Sequence, residues 1–473
     1  MPTPPDAMRP IEVPGLPPRL VLDICGSALV LTGESLGALP YPTWSVGPFS
    51  AWFVGGLALL AIRHLFWPSP SLPALLLQKW RRHFAYRPAA VIAGLAIGSR
   101  VLVLATGWVA VTTLGPDLDH APIRVANSSL LNLPARFDAG WYLGIARHGY
   151  EWTPDLHGHR HSMAFFPAFP ALMRVAGDLL TIPAKLVHDP QLLGNGNTRI
   201  LWGGVVVSIV CFVAATWQVY QLGLVWSSDP DLSMRAVVLL ALYPFALFFS
   251  AAYSEALFLL CSTSAVLAWS RDRPGATLLW GVLTGLSRSN GWTLAFALIA
   301  DRLWGGAKVR GQAWAWLAGA PLVGAALYSA YVYAVTGYAF EWAAAQQGWG
   351  ATLSVGGFFA RHLAALAAAG AIGYVAHNPL DALTFAATVA ALAVGGHYLW
   401  RRQWLLGVWI IAYLLPALAI DLPAIGRLTS VLVPVFFYLA ETCRGRWHAL
   451  LATAFVFGQL FLAAEFFRWR PPY

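Results

Sequence analysis

The uncharged stretch ILWGGVVVSIVCFVAATWQVYQLGLVWSS, residues 200–228, decides the fold class of this chain. A helix needs about 20 mostly apolar residues to cross the hydrocarbon core of a bilayer, and this stretch exceeds that length without a charged side chain. Residues 313–340 form a second stretch of the same kind. A chain with such stretches is predicted to be an integral membrane protein.

The composition of the chain supports the same class. Of 473 residues, 58% are hydrophobic and 11% are charged, compared with roughly 45–50% and about 25% in soluble domains. The net charge of +9 can indicate nucleic-acid binding, but Lys and Arg lie in short clusters between apolar stretches, as cytoplasmic loops do. We therefore interpret the charge as an orientation signal and expect no nucleic-acid partner.

Apolar stretches and basic clusters together predict an all-α polytopic protein with roughly ten to thirteen transmembrane helices. Residues 1–87 are predicted to be an N-terminal extension with one or two spans, of which the clear one covers about 44–67. Residues 88–470 are predicted to be the transmembrane domain. Its large first outer loop is expected at about 115–198, and another outer loop at about 337–378.

The segment 275–300 has two interpretations. Arg288, Ser289, Asn290 and Gly291 interrupt it near the middle. It is either one span with a buried Arg or two half-height helices that meet at 287–291. The basic residues that follow favour two half-height helices.

Polar residues of the spans and loops collect on one side when basic loops are placed in the cytoplasm. Ionisable groups inside a membrane are costly, so they usually face a cavity or each other. Arg makes fork-shaped contacts to phosphate oxygens, and a carboxylate can accept the proton of an attacking hydroxyl. This predicts phosphate-linked chemistry at the outer face, from four clusters: Arg136, Asp138 and Tyr142; Tyr253, Ser254 and Glu255; Arg288 and Asn290; Asp421 with Arg427.

Several strings, taken in order, resemble the PIG-V family of mannosyltransferases, which adds the second mannose in GPI-anchor assembly. The specific strings are RFDAGWYLGIARHGYEW at 136–152, MAFFPAFPAL at 163–172, YPFALFFSAAYSEALF at 243–258 and GLSRSNG at 285–291. SRVLVL at 99–104 and GRLTSVLVPVFFYLA at 426–440 are weaker matches. The chain departs from the family in having Phe137 where Trp usually precedes Asp, in its N-terminal extension, and in the insert HGHRH at 157–161.

The resemblance implies a GT-C-like bundle that transfers a mannosyl or other hexosyl residue from a polyprenyl-phosphate-sugar donor. The acceptor would be a lipid or glycan, the transfer inverting, and Asp138 the base. The chain is expected to be a bacterial relative in the inner or plasma membrane, with its site facing outward, so GPI is not carried over as the acceptor. Oligomeric state is left open.

Further roles are assigned beside plainer structural alternatives. Arg288 and Arg427 are predicted to bind the donor phosphate, although they could be interfacial anchors. Asp138 could be a helix cap. Glu255 could lie at the start of a helix simply because the helix dipole favours a negative charge there. Arg100 matches an intramembrane Arg of the family, but structural pairing with a loop or helix acid explains it at least as well. The predicted substrate-binding residues are Arg136, Trp141, Tyr142, Tyr253, Glu255 and Asn290.

No cofactor is required by this hypothesis. The alternating His157, His159 and His161 could hold a divalent metal ion, but a solvated polar loop is favoured. The main alternative function is a transporter or flippase of a lipid-linked or anionic substrate, for which inverted repeats and broken helices in matching halves are typical. A structural membrane protein would not need acids and arginines gathered on one side.

Overall fold

The structure is a computed structural model that describes residues 22–23, 25–26, 45–46, 49–66, 88–116, 123–187, 193–305, 314–350, 353–354, 356–422 and 424–470. These residues are mainly helical, with one short antiparallel strand pair, β1 (Ser45–Val46) and β2 (Phe49–Ser50). The chain divides into two compact units, Met1–Trp80 and Arg81–Tyr473. The division into 1–87 and 88–470 remains a prediction.

The first unit contains helix α1 (Ala51–Phe66), which directly follows β2. Arg63 on this helix is buried, and its Nε lies 2.9 Å from Oδ1 of Asp23. The helix has 16 residues and covers most of the predicted span at 44–67, although a perpendicular crossing needs about 20 residues.

The second unit is a helical bundle whose buried centre is α8, since nearly every side chain of that helix is buried. α8 packs against α6 and α9. In chain order, the helices of this unit are α2 (Pro88–Leu114), α3 (Ala139–His148), α4 (Ala168–Leu179), α5 (Thr181–Leu186), α6 (Gly196–Ser227), α7 (Pro230–Leu242), α8 (Glu255–Ser270), α9 (Pro274–Ser287), α10 (Leu294–Ala300), α11 (Trp314–Thr336), α12 (Glu341–Ala344), α13 (Gly357–His377), α14 (Pro379–Trp400), α15 (Trp404–Ala419), α16 (Ile425–Leu428), α17 (Val433–Thr442) and α18 (Arg446–Phe467).

The described residues contain six helices long and apolar enough to cross a membrane: α2, α6, α11, α13, α14 and α18. Two bent pairs also pass as broken spans: α7 with the 3-10 helix Pro244–Ser250, and Ile425–Val431 with α17. The apolar helices α8 and α15 are shorter than a span. The described residues thus hold six to eight candidate spans, fewer than the roughly ten to thirteen expected. The prediction of an all-α polytopic membrane protein is confirmed.

One segment that was expected to be a loop is partly helical. The segment 337–378, expected to be an outer loop, contains α13, whose length and hydropathy pass as those of a span. The chain folds back within α13, since Nδ1 of His362 lies 2.6 Å from the Tyr374 hydroxyl, whereas twelve residues of straight helix would separate them by about 18 Å. The outer placement of this segment stays a prediction. α13 is rich in Ala and Gly and has Arg361 and His362 in its first turns, so its mean hydropathy is low. For this reason the sequence interpretation did not recognise it as a helix. The helix is interrupted at Gly370, whose φ of 69° lies in the region that glycine adopts readily.

The segment 275–300 is broken, as the preferred interpretation had it. α9 ends at Ser287, Arg288 is extended with φ −159° and ψ 150°, and α10 begins at Leu294. Helical hydrogen bonding therefore stops at the polar residues, which frees their side chains from the helix surface.

A second break, at Tyr243, explains the buried Arg100. Proline disfavours a helical residue before it, and Tyr243 before Pro244 is extended, so that α7 and the following 3-10 helix meet at 77°. The Arg100 guanidinium donates to the carbonyl oxygens of Ala241, at 2.6 Å, and Ala246. Arg100 thus has a structural role, but it binds carbonyls that the broken helix leaves available instead of the loop or helix acid that the sequence suggested.

Candidate functional site

A cavity of about 290 Å³ lies where the loop helix α3, the start of α8, the break at Arg288 and the short helix α16, which carries Arg427, converge. This is close to the lower end of the volumes of ligand sites, roughly 300–1,000 Å³. Its polar lining residues are Asp138, Tyr142, Arg160, Ser254, Ser287, Arg288, Ser289, Asn290, Gln346 and Arg427, and its apolar ones include Phe165, Phe166, Trp349 and Leu422.

Asp138 immediately precedes α3, but its side chain does not cap that helix. Its Oδ2 instead accepts a hydrogen bond from Nη1 of Arg427 at 2.7 Å. The residue before it, Phe137, has φ 43°, a strained conformation for a bulky side chain. Phe137 is held there by ring contacts with Phe466 and Trp469. The strained residue turns the chain so that the carboxylate faces the cavity instead of the helix end.

Tyr253 and Arg136 support this turn from behind. The backbone N–H of Asp138 donates to the Tyr253 hydroxyl at 3.1 Å, and that hydroxyl lies 3.4 Å from the carbonyl oxygen of Arg136. The Arg136 guanidinium donates to the carbonyls of Phe467, Asn132 and Ala135. Burial lowers the pKa of Arg136 to about 10. Neither side chain lines the cavity, so their contact with substrate remains a prediction.

Glu255 joins the two arginines that were predicted to bind phosphate. Its carboxylate is only 1% exposed, and its Oε1 lies 2.7 Å from Nη1 of Arg288 and 3.5 Å from Nε of Arg427. A carboxylate at the N-terminus of α8 also benefits from the helix dipole. Glu255 therefore fixes Arg288, which follows α9, beside Arg427, which lies on the short helix α16.

The other predicted substrate residues surround this ion cluster. Tyr142 lines the cavity, and its hydroxyl donates to Oγ of Ser254 at 2.9 Å. Burial, assisted by the charge of Glu255, raises the pKa of Tyr142. Asn290 lines the cavity and donates to the carbonyl of Tyr413.

Trp141 lies one layer further out. Its ring stacks on Phe165 at 5.9 Å and meets the edge of Trp349 at 5.7 Å. Both partner rings line the cavity, so Trp141 supports an aromatic wall there. Its contact with a sugar remains a prediction.

Asp421, which was grouped with Arg427 by sequence, has another partner. Its Oδ1 accepts from Nη2 of Arg361 at 2.8 Å. Sequence reasoning placed these two charges on one side but did not identify which ion pairs they form.

Arg160, Gln346 and Trp349 were not singled out by the sequence interpretation, although all three line the cavity. Arg160 belongs to the insert HGHRH, which was expected to be a solvated loop. The available signal was the position of this insert between two family strings, and the polar pair Gln346–Gln347 after an apolar span.

Two of the three histidines of the insert, His157 and His161, bind Glu341. Glu341 is fully buried, and it accepts from Nδ1 of His157 at 2.5 Å, from Nε2 of His161 at 3.0 Å and from the N–H of Gly158 at 3.3 Å. His161 Nδ1 accepts from the N–H of Met163. Burial lowers the pKa of His161, which agrees with a neutral ring that donates through Nε2 and accepts through Nδ1. Among the residues that the structure describes, no three His, Cys, Asp or Glu side chains form a cluster able to hold a metal ion.

Comparison with known proteins confirms the resemblance. Residues 114–302 match the sequence model of the family described as Mannosyltransferase (PIG-V). The chain is 32% identical over 180 residues to the GPI alpha-1,6-mannosyltransferase 2 of Cricetulus griseus, covering 36% of this chain and 33% of that protein. The Homo sapiens protein of the same description is 32% identical over 163 residues, 34% of this chain and 30% of that protein. The match thus spans about a third of these relatives.

A more distant relative and a solved structure extend the comparison. The GPI mannosyltransferase 2 of Drosophila melanogaster is 26% identical over 190 residues, 37% of this chain and 39% of that protein. A crystal structure of the Archaeoglobus fulgidus oligosaccharyltransferase aligns with a TM-score of 0.42 and 16% identity, over 78% of this chain and 53% of that chain.

Proposed function

We propose that this protein is a membrane mannosyltransferase with a GT-C-like bundle that transfers a mannosyl or other hexosyl residue from a polyprenyl-phosphate donor to a lipid or glycan acceptor. The observation that carries the proposal is the gathering of the Asp138 carboxylate with the Arg427 and Arg288 guanidinium groups around one cavity. The similarity of residues 114–302 to the PIG-V mannosyltransferases supports the sugar and the reaction class.

The transfer is a single inverting displacement. The acceptor oxygen forms a bond to the anomeric carbon while the bond from that carbon to the phosphate oxygen breaks. Asp138 accepts the acceptor's proton, and the departing phosphate takes the bonding electron pair. The charge that develops on the phosphate is stabilised by Arg288 and Arg427.

Because Asp138 is paired with Arg427, donor binding also affects the catalytic base. Without donor, the Oδ2 atom of Asp138 is occupied by the hydrogen bond from Nη1 of Arg427. A donor phosphate that engages Arg427 competes with Asp138 for the same donor atoms. The donor therefore releases the carboxylate for proton transfer only when the sugar to be transferred is in place.

The position of the site among the helices suits a lipid-linked donor. The charged residues lie at the ends of broken or short helices, and the six span-length helices provide apolar surface for a prenyl chain. We place the site at the outer face of a bacterial inner or plasma membrane, as the basic loops indicate. No nucleotide is needed at that face.

The decisive experiment is incubation of the purified full-length chain with radiolabelled polyprenyl-phosphate-mannose and a lipid extract of its host membrane. A labelled lipid or glycan that forms only with active protein is the expected result and identifies the acceptor class. Recovery of all label as unreacted donor, with folded protein and every host lipid fraction tested, contradicts the proposal.

Broken helices at the site also favour a second candidate, a flippase of a lipid-linked or anionic substrate. Such helices are typical of transporters, in which they form the substrate site. Here Arg288 lies at one break, and Arg427 lies on the first half of a bent pair. Reconstitution in vesicles separates the candidates. A flippase moves polyprenyl-phosphate-mannose across the bilayer without forming a glycosidic bond, whereas the transferase forms the bond.

A further inference from the structure

The side chains around the cavity carry one more positive than negative formal charge. Arg288 and Arg427 face Glu255 and Asp138, so these four groups are neutral together. Arg160, which is also exposed to solvent, lines the same cavity and adds one positive charge. Its Nε donates to the carbonyl of Gly348 at 2.6 Å, and its guanidinium lies 5.8 Å from the Trp349 ring centre.

The partners of Arg160 leave its charge uncompensated. A carbonyl oxygen and an aromatic ring accept from a guanidinium without carrying a net charge. Within the described part of the chain, no carboxylate lies at ion-pair distance from Arg160. The cavity therefore has a net charge of about +1 when its acids are ionised and its arginines protonated, which matches a phosphodiester monoanion.

Arg160 is held in place by close contacts between the insert at 157–161 and the segment that contains Glu341 and Gly348. Glu341 binds His157, His161 and the backbone of Gly158. A Cβ on Gly348 would lie 2.3 Å from the backbone nitrogen of Arg160, so only glycine fits there. Both contacts fix the backbone on either side of Arg160, and neither uses its terminal nitrogens.

We infer that Arg160 is a third phosphate-binding arginine of this site, contributed by the HGHRH insert and positioned by Glu341 and Gly348. It supplies the positive charge that the paired Arg288 and Arg427 lack, and it contacts the phosphate of the lipid donor from the loop side of the cavity. The inference depends on the proposed function for the identity of the donor, but the phosphate site itself can be tested by binding alone.

The first test measures affinity of the full-length protein in detergent for a short-chain polyprenyl monophosphate and for the matching uncharged polyprenol. Arg160→Gln is expected to weaken binding of the phosphate about 10-fold or more, because a hydrogen bond to a charged group contributes about 1.5–3 kcal/mol. Binding of the polyprenol should stay unchanged, and Arg160→Lys should recover part of the loss. The matched control is Arg174→Gln, an exposed arginine paired with Asp178, which should bind both lipids as the wild type does.

The second test addresses positioning. Gly348→Ala displaces the Arg160 backbone without removing its charge, so it should weaken phosphate binding in the same direction. Because both substitutions act through one guanidinium, the double variant should bind no more weakly than Arg160→Gln alone. A loss in the double variant equal to the sum of the single losses overturns the positioning role of Gly348.

The outcomes separate this inference from the proposed function. Unchanged phosphate affinity in Arg160→Gln, or wild-type protein that binds polyprenol as tightly as the phosphate, overturns the inference. Wild-type protein that binds the phosphate through Arg160 but transfers no sugar supports the inference and contradicts the transferase. Where transfer is observed, Arg160→Gln should raise the donor KM and leave the acceptor KM unchanged.

Discussion

Nη1 of Arg427 lies 2.7 Å from Oδ2 of Asp138, although 289 positions separate the two residues along the chain. The pair joins the loop before α3 to the short helix α16. It brings the predicted base and a predicted phosphate ligand into direct contact, so that a donor phosphate and the Asp138 carboxylate compete for one guanidinium.

Asp138→Asn should abolish sugar transfer. Asparagine cannot accept the acceptor's proton, and the loss of a general base typically costs about 10²- to 10⁴-fold in rate. The measurement is the transfer rate with radiolabelled donor. Binding of polyprenyl monophosphate should persist, because Arg288 and Arg427 remain. The control is Asp155→Asn, an exposed acid of the same loop, which should retain wild-type activity; equal activity of both variants removes Asp138 from the mechanism.

Glu255→Gln should destabilise the protein. The substitution leaves the Arg288 and Arg427 guanidinium groups beside a buried neutral amide, and breaking a buried ion pair costs about 3–5 kcal/mol. The readout is the apparent melting temperature in detergent. Asp178→Asn, which breaks the exposed pair with Arg174, should cost at most about 1 kcal/mol. If polyprenyl monophosphate restores the melting temperature of Glu255→Gln, the arginines still bind phosphate.

Arg100→Met should lower stability without a specific effect on donor affinity. The substitution keeps an apolar side chain of similar reach but leaves the carbonyls of Ala241 and Ala246 without the guanidinium, at about 1–3 kcal/mol for each buried group. Melting curves and donor KM are the two measurements. Val101→Ala, on the exposed face of the same helix, is the control. A large rise in donor KM with unchanged stability would show that Arg100 belongs to the site.

The loop that carries Arg160 should loosen as the pH falls. Burial depresses the pKa of His161 below its usual 6.5, so the unfolded loop binds the proton more readily than the folded loop does. The contribution of His161 is therefore complete above pH 6.5 and is lost as the pH falls from there through the folded-state pKa. His157 and Glu341 are the titratable groups that contact this cluster.

Hydrogen exchange across residues 157–165, corrected for intrinsic rates, measures this effect. Protection in the wild type should decrease between about pH 6.5 and pH 5, the range in which a histidine titrates. His161→Gln keeps a donor for Glu341 but does not titrate, so its protection should vary less with pH. The same pH dependence in wild type and variant would assign the effect to His157 or Glu341 instead.

The sequence alone determined the properties that depend on residues close together in the chain, namely the membrane class and the positions of most helices. Hydropathy identified the membrane class and most helices, because the length of an apolar stretch is a local quantity. Polar interruptions marked the break at Arg288, and the family strings selected Asp138, Arg288 and Arg427. α13 was missed because its small residues and early charges resemble a loop.

Only the tertiary structure decided which charges meet. Asp138, Glu255 and Arg427 are distant in sequence, and their pairing depends on the angles at which broken helices pack. The same packing leaves Arg136 behind the cavity wall and brings Arg160, from a loop expected to be solvated, to the cavity. No local pattern encodes these outcomes, because an ion pair is selected by the position of its partner in space and by the burial of both groups.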